Sequence, residues 1–360
     1  MIDRAHGGDI QEYRGEISSY SRKLIDFSAN INPLGFSPKA RAAIIRNIDG
    51  IIRYPQADSA NLKKALGAFC NTDYHNIAVG NGSIELIYLI PKAFKIKKVL
   101  IITPTFSEYE FAAKLNGSKI VFLKTEEGDD FKLGLHKLKK LIPKVDLVFI
   151  GNPNNPIGAY ILLEEMLSVI ELCQQCGTFL AVDEVFMDFV ETSDRDILAS
   201  LVPRNKILIV LRSLTKFFAL PGLRIGYAIS HRDLVKRISE LQYPWNINSL
   251  AQAVGEEVLE DRGYMNKSRE YVVKEKEYLF GRLKNIKGLK TYPPSSNFIL
   301  CKLEDCAIKS AQVLNEMLLE KGLVVRNCSN FRGLNERFFR VAVRKRAENL
   351  KLIMALKEVL

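Results

Sequence analysis

Between about residues 75 and 230 the chain alternates short β-branched runs, NIAVG, KVLIIT, KIVFL, DLVFIG, FLAVDE, KILIVLRS and RIGYAIS, with helical patterns. That rhythm restricts the fold to the α/β class, a mostly parallel sheet flanked by helices. In such sheets ligands collect outside the carboxyl ends of the strands, so the loops that follow these runs are where chemistry is expected.

Around residue 240 the pattern changes. A long charged helical stretch, EEVLEDRGYMNKSREYVVKEKEYLFGRLKNI, is followed by strand-like SNFILCKL, helical SAQVLNEMLLEKG and strand-like FFRVAV. This reads as a smaller α+β domain. At 360 residues the chain exceeds what one core usually holds. The expected organisation is an arm and part of the small domain over 1–45, a large domain over 46–240, and the C-terminal small domain over 241–360. Within the first segment, SANINPLGFSPKARAAI predicts a turn at Pro33 and Gly35 before a helix.

Apolar residues make up 47% and charged ones 26% of the composition, which excludes a disordered chain. No apolar stretch approaches the ~18 residues of a membrane span, and the polar start MIDRAHGGDIQEY resembles no leader, so no membrane and a cytoplasmic location are expected. The net charge of +11 is spread along the chain rather than clustered with aromatics, which speaks against nucleic acid and for anionic small substrates. The densest basic run, Arg340 to Lys351, reads as the solvated face of a terminal amphipathic helix. Six scattered cysteines suggest reduced thiols. Cys173 and Cys176 form one C-x-x-C inside a helical pattern, without the second pair a zinc ribbon needs, so no metal is expected.

Four clusters carry chemistry. In S-L-T-K-F-F-A-L-P-G-L-R-I-G-Y, Lys216 follows a strand and should face the ligand edge; Arg224 would depress its pKa and hold a phosphate, and such a lysine can form a Schiff base. In F-L-A-V-D-E-V-F, Asp183 ends an apolar strand, where a buried carboxylate needs a partner such as a protonated pyridine nitrogen. In D-L-V-F-I-G-N-P-N-N-P-I-G, Pro153 and Pro156 stiffen a turn from which Asn155 can point an amide at a ligand. In A-V-G-N-G-S-I-E-L-I, a glycine turn precedes a helix, so the N–H groups of Gly82 and Ser83 face one spot that suits a phosphate. Each has a plainer meaning alone: a solvated lysine, a helix cap, a good turn, a chain reversal.

In this order and at these spacings, the four clusters resemble the fold-type I pyridoxal-phosphate (PLP) enzymes of the class I/II aminotransferase superfamily over nearly the whole chain. The resemblance implies PLP as cofactor, Lys216 as its imine lysine, Asp183 as the pyridinium partner and Asn155 as donor to the ring 3-oxygen. It further implies Phe106, in T-P-T-F-S-E-Y, stacked on the ring, and Gly82, Ser83, Ser213 and Arg224 around the cofactor phosphate. Members are usually homodimers with shared active sites, and Tyr54 in I-R-Y-P looks like the tyrosine that reaches the neighbouring subunit's phosphate.

Within the superfamily the chain resembles two groups that take a small phosphorylated substrate, the histidinol-phosphate aminotransferases and the L-threonine-O-3-phosphate decarboxylases of cobalamin biosynthesis. H-G-G at His6 to Gly8, D-F-S-A-N-I-N-P-L-G at Asp26 to Gly35, P-W-N-I-N-S-L-A from Pro244 and V-R-N-C-S-N-F-R-G-L from Val325 favour the decarboxylases. So does Phe186, where many aminotransferases carry a tyrosine that donates to the ring 3-oxygen; phenylalanine cannot. The decarboxylase resemblance implies conversion of L-threonine O-3-phosphate, with L-serine phosphate a further candidate, to (R)-1-amino-2-propanol O-2-phosphate. Arg326 and Arg340 are the expected substrate anchors, since guanidinium forks suit carboxylate and phosphate alike, with His6, Asn32 and Tyr54 completing the pocket. A non-catalytic PLP-binding regulator is the alternative of another class, distinguished by its lack of turnover.

Overall fold

The computed structural model describes residues 7–8 and 24–360. A two-residue strand β1 (Ile25–Asp26) precedes the main sheet. All seven runs named above are strands of that sheet: β2 (Ile77–Asn81), β3 (Lys98–Thr103), β4 (Lys119–Lys124), β5 (Leu147–Gly151), β6 (Phe179–Asp183), β7 (Leu208–Ser213) and β8 (Ile225–Ser230). Their spatial order is β2-β8-β7-β6-β5-β3-β4, and β3 to β7 pair in parallel. The inner strands are apolar almost throughout because both faces are covered. Leu100, Val148, Leu180 and Val210 enter the core on one face, and Val99, Phe149, Ala181 and Ile209 enter that on the other.

β8 runs antiparallel to both neighbours. This reversal brings the start of β8, beside Arg224, to the edge where β2, β5, β6 and β7 end, so that Asn81 pairs with Ile225 and Ser213 with Gly226. Chemistry from five chain segments therefore meets on one rim.

The smaller domain holds β9 (Leu289–Thr291), β10 (Phe298–Leu303), β11 (Leu323–Val324), β12 (Arg326–Asn327) and β13 (Phe338–Ala342). Four of these form an antiparallel sheet in the order β12-β13-β10-β9, while β11 pairs in parallel with β1. Phe27, Leu279, Leu283, Ile299, Phe339 and Leu352 build its core.

Packing does not divide at residue 240. The helical stretch there is two helices, Ser249–Val258 and Arg262–Leu283, the second capped by Asp261, whose side chain accepts from the Tyr264 N–H at 3.1 Å. Ala251, Val254, Val258, Met265 and Val272 join the large core, and from Tyr278 onward the long helix serves the small one. At the other end, Phe27 belongs to the small core but Ala40 and Ala43, on the helix Pro38–Asn47, belong to the large one. The two cores thus do not change over at 45 and 240: a change of sequence pattern reports a change of secondary structure, not of packing partner. The predicted turn and helix are present, with Gly35 at φ +74° and Ser37 as the N-cap.

Candidate active site

The strand ends and the small domain enclose a cavity of about 350 Å³. Gly82, Ser83, Phe106, Asn155, Asp183, Ser213, Lys216, Arg224, Arg326 and Arg340, ten of the residues singled out from sequence, all line it.

Lys216 lies in the turn directly after β7 and keeps part of its surface on the cavity. Burial, and then the cations Arg340 and Arg224, push its amine down to about 8, against an opposing pull from Asp26. A substantial neutral fraction near physiological pH makes it a nucleophile. Asp183 ends β6, with its Oδ2 accepting from Tyr109 Oη at 2.7 Å and its Oδ1 from the Val185 N–H at 3.1 Å. Burial raises its pKa, and these two bonds pull the other way.

At the opposite side, β2 turns through Gly82 (φ +75°) into the helix Ser83–Ala93. The first N–H groups of a helix have no intrahelical partner, so they point at the cavity with the positive end of the dipole. Glycine suits this position because its φ of +75° and ψ of 160° lie where L side chains are strained, and a Cβ would also displace the flexible Nη2 end of Arg224. Ser213 Oγ is buried and already paired, 2.9 Å from Thr215 Oγ1 and 3.0 Å from the Ile225 carbonyl oxygen it donates to.

From the small domain, β12 and β13 place Arg326 and Arg340 directly opposite each other in an antiparallel pair. Arg326 Nη2 donates to Asn330 Oδ1 at 2.8 Å, and its guanidinium lies 5.2 Å from the centroid of the Phe331 ring. Arg340 donates to the Ser28 carbonyl at 2.7 Å and to Asn155 Oδ1, over the face of Phe298. Because Asn155 turns its oxygen to the guanidinium, its amide NH2 is the end left for the cavity. Phe186 packs its ring edgewise on Phe298, centroids 5.0 Å apart, and contributes no hydroxyl.

Asn32 does not line the cavity. Its Nδ2 donates to the Phe217 carbonyl and to Tyr264 Oη, its Oδ1 accepts from the Leu34 N–H, and its own N–H donates to the Lys216 carbonyl. It braces the lysine turn from behind. Asn30 is the cavity residue, and its Oδ1 is buried without a partner. A tight turn, Ile31 N–H to Ala29 carbonyl at 2.9 Å, breaks the extended alternation that would have aimed both asparagines alike. Tyr54 is 84% exposed, packed on Trp245 with ring centroids 5.1 Å apart, and lies outside the cavity of its own chain. His6 lies outside the described residues. Sequence reasoning passed over Ser28, Tyr109, Thr215 and Phe331, all on the cavity wall; Tyr109 was within reach, three residues after Phe106 in the same quoted motif.

The wall fits PLP on its own terms. It offers a buried carboxylate, a nucleophilic amine, an aromatic face at Phe106 and a helix N-terminus beside an arginine. It also leaves Asn30 Oδ1 and Arg340 Nε buried without partners, a surface made for a polar ligand.

Fold and site together define a PLP enzyme. The family model for aminotransferase class I and II matches residues 22–356, and the chain belongs to that family. It is 41% identical to a protein of Caldanaerobacter subterraneus provisionally named a threonine-phosphate decarboxylase, over 96% of this chain and 93% of that one. It is 35% identical to the threonine-phosphate decarboxylase of Salmonella typhimurium, over 100% and 98% of the two chains. An adenosylcobalamin biosynthesis bifunctional protein of Leptospira interrogans is 33% identical over 98% of this chain, which spans 41% of that longer one. Among solved structures, the histidinol-phosphate aminotransferase from Clostridium acetobutylicum superposes with a TM-score of 0.87 at 33% identity, covering 93% of this chain and 99% of that one. The L-threonine-O-3-phosphate decarboxylase from Porphyromonas gingivalis gives 0.81 at 25% identity, covering 92% and 98%. No described helix is long and apolar enough to cross a membrane.

Proposed function

We propose that the chain decarboxylates L-threonine O-3-phosphate to (R)-1-amino-2-propanol O-2-phosphate for the nucleotide loop of cobalamin. The observation that carries the anionic substrate is the Arg326–Arg340 pair. Two cations directly opposite in a ladder repel each other. Burial, with Arg326 adding to it and Cys328 opposing, brings Arg340 down to about 10. An anion between the two guanidinium groups relieves that repulsion. The cofactor phosphate would have its own cradle at the main sheet, around Gly82, Ser83 and Arg224, whereas Arg326 and Arg340 come from the small sheet, so this second cationic group suits a ligand that carries its own phosphate or carboxylate. The names of the relatives at 41% and 35% identity support the choice of threonine phosphate, and that of the bifunctional relative supports the cobalamin setting.

PLP, when bound, draws off the electron pair released as a bond at the substrate's Cα breaks. Asp183 would keep a proton on the ring nitrogen, and Asn155 would offer its amide NH2 to the ring 3-oxygen. Lys216 would hold the cofactor and, once displaced by the substrate amine, stand ready to return a proton to Cα. Arg326, Arg340 and Asn30 would grip the substrate so that the bond to its carboxylate stands perpendicular to the ring, and orientation alone then decides which bond breaks. Phe186, backed by Phe298, gives the cavity an apolar wall at that point.

The second reading, histidinol-phosphate aminotransferase, draws on the 0.87 superposition. Incubating the holoenzyme with threonine phosphate is expected to release CO2 and leave a phosphorylated amine. Absence of CO2, together with glutamate formed from histidinol phosphate and 2-oxoglutarate, would give the function to the second reading. The subunit arrangement of the site, with Tyr54 reaching a second copy, belongs to the same proposal.

A further inference from the structure

We propose that Tyr109 is a positioning residue for the cofactor, holding Asp183 as the ionised carboxylate that keeps the ring nitrogen protonated. The tyrosine is 2% exposed, in the first turn of the helix Glu108–Leu115. Its ring stacks on Phe149 of β5, centroids 5.0 Å apart and planes within 3°, and meets the edge of Phe106 at 5.8 Å. Gly151, at the end of β5, lies beside the hydroxyl, close enough that a Cβ there would touch it at 3.4 Å. The helix, β5 and the loop at Phe106 thus hold one O–H against Asp183 Oδ2, 2.7 Å away.

The direction of that bond is settled by charge. Burial, and then the neighbouring carboxylate, hold the Tyr109 hydroxyl well above its ordinary 10, so it keeps its proton and can only donate. Burial favours the protonated, neutral form of Asp183, and the Tyr109 and Val185 bonds favour the ionised one. Without the hydroxyl, one of the two donors that compensate the buried charge is gone. The proton shared with the ring nitrogen would then move toward the carboxylate, and the ring would lose its cationic character. The same side chain touches Phe106, so the group expected above the ring and the group expected at its nitrogen are set by one residue.

The inference rests on the cofactor, which family membership supplies, and not on the choice of substrate. Its test therefore uses none. Holoenzyme carrying PLP labelled with 15N in the ring is compared between the native chain and Tyr109→Phe, which keeps both ring contacts. The variant is expected to show the ring 15N resonance moved toward the neutral-pyridine position and cofactor held about tenfold more weakly, the scale of one lost charge-assisted hydrogen bond. Asp183 would take up its proton at higher pH, so cofactor affinity, which falls as pH is lowered through that titration, should begin to fall at a higher pH than in the native enzyme. Should Tyr109→Phe fold poorly, 3-fluorotyrosine at this position, a more acidic donor of nearly equal volume, is expected to move that fall to lower pH. An unchanged 15N position and an unchanged pH dependence, with only a lower unfolding temperature, would reduce Tyr109 to a packing residue and overturn the proposal.

Discussion

Asn30 and Asn32 stand two positions apart and do opposite things. Asn30 leaves a buried oxygen on the cavity wall without a partner, while the side chain of Asn32 makes three hydrogen bonds within the fold. Removing an unpartnered group sacrifices no bond, so Asn30→Ala should change stability by less than about 0.5 kcal/mol. It should raise KM for threonine phosphate about tenfold if it takes away one polar contact with the substrate. Asn32→Ala leaves the Tyr264 and Phe217 ends unanswered and should destabilise by roughly 1–3 kcal/mol, loosening the lysine turn from behind. Thermal unfolding and substrate kinetics on the two variants separate these outcomes; a destabilised Asn30→Ala with native KM would place Asn30 in the fold instead of the site. In D-F-S-A-N-I-N the sequence reading points to Asn32 and not to Asn30. What decided between them was the bond from Ile31 to Ala29, a local turn that no residue type in the motif announces.

Among the elements, the proposed phosphate cradle shows why some of a site is legible and some is not. Gly82 and Ser83 could be read because a glycine turn before a helix is a local signal, carried by adjacent residues. Gly226 could not. It sits in β8, and a Cβ on it would come within 2.0 Å of the Ser83 nitrogen and 2.5 Å of the Gly82 carbonyl carbon. The reason for glycine lies in a turn more than a hundred positions away, brought close only because β2 and β8 pair in register. Gly226→Ala meets backbone on every near side and has no flexible neighbour to push aside. Overpacking of this kind costs about 1–3 kcal/mol. Because the displaced atoms are the cradle, the larger effect should fall on the cofactor, with affinity for PLP reduced about tenfold or more. Cofactor titration of the refolded variant checks this; native affinity in Gly226→Ala would mean that the helix N-terminus is not where the phosphate sits. The seven strands were legible for the same reason as the turn, since each β-branched run is its own signal. Two-residue strands such as β1, β11 and β12 have no run to read and exist through their partners.

At the scale of the whole molecule the cavity is a seam: Lys216 and Asp183 stand on the large domain, Arg326 and Arg340 on the small one. The long helix, the bond from Arg340 to Asn155, the Phe186–Phe298 contact and the bonds of Tyr292 and Lys302 to Glu127 all cross the seam, and so does an ion pair beside the cavity. Arg332, next to Phe331, forms a two-pronged pair with Glu110 on the helix that carries Tyr109, at 3.0 and 2.9 Å, and lies 4.2 Å from the Phe122 ring centroid. Burial pushes Glu110 up, yet its bonds to Arg332 and Lys114 leave it below the ordinary value. With Arg332 half exposed, the pair should contribute no more than about 1 kcal/mol to global stability. Its consequence for the site is larger, because the loop it anchors holds Phe331 on Arg326. Arg332→Ala should therefore unfold within a few degrees of the native chain but raise KM for the phosphorylated substrate by about three- to tenfold, with kcat less affected, since substrate grip is lost and the chemistry at Lys216 is not. Glu110→Gln should show the same pattern more weakly, and raising the salt concentration should raise KM more steeply in the native enzyme than in the variants, because the grip of Arg326 and Arg340 on the substrate is screened in all of them but the Arg332–Glu110 pair only in the native chain. Equal losses in kcat and kcat/KM would point instead to a displaced Tyr109, the other side chain that this helix delivers to the seam.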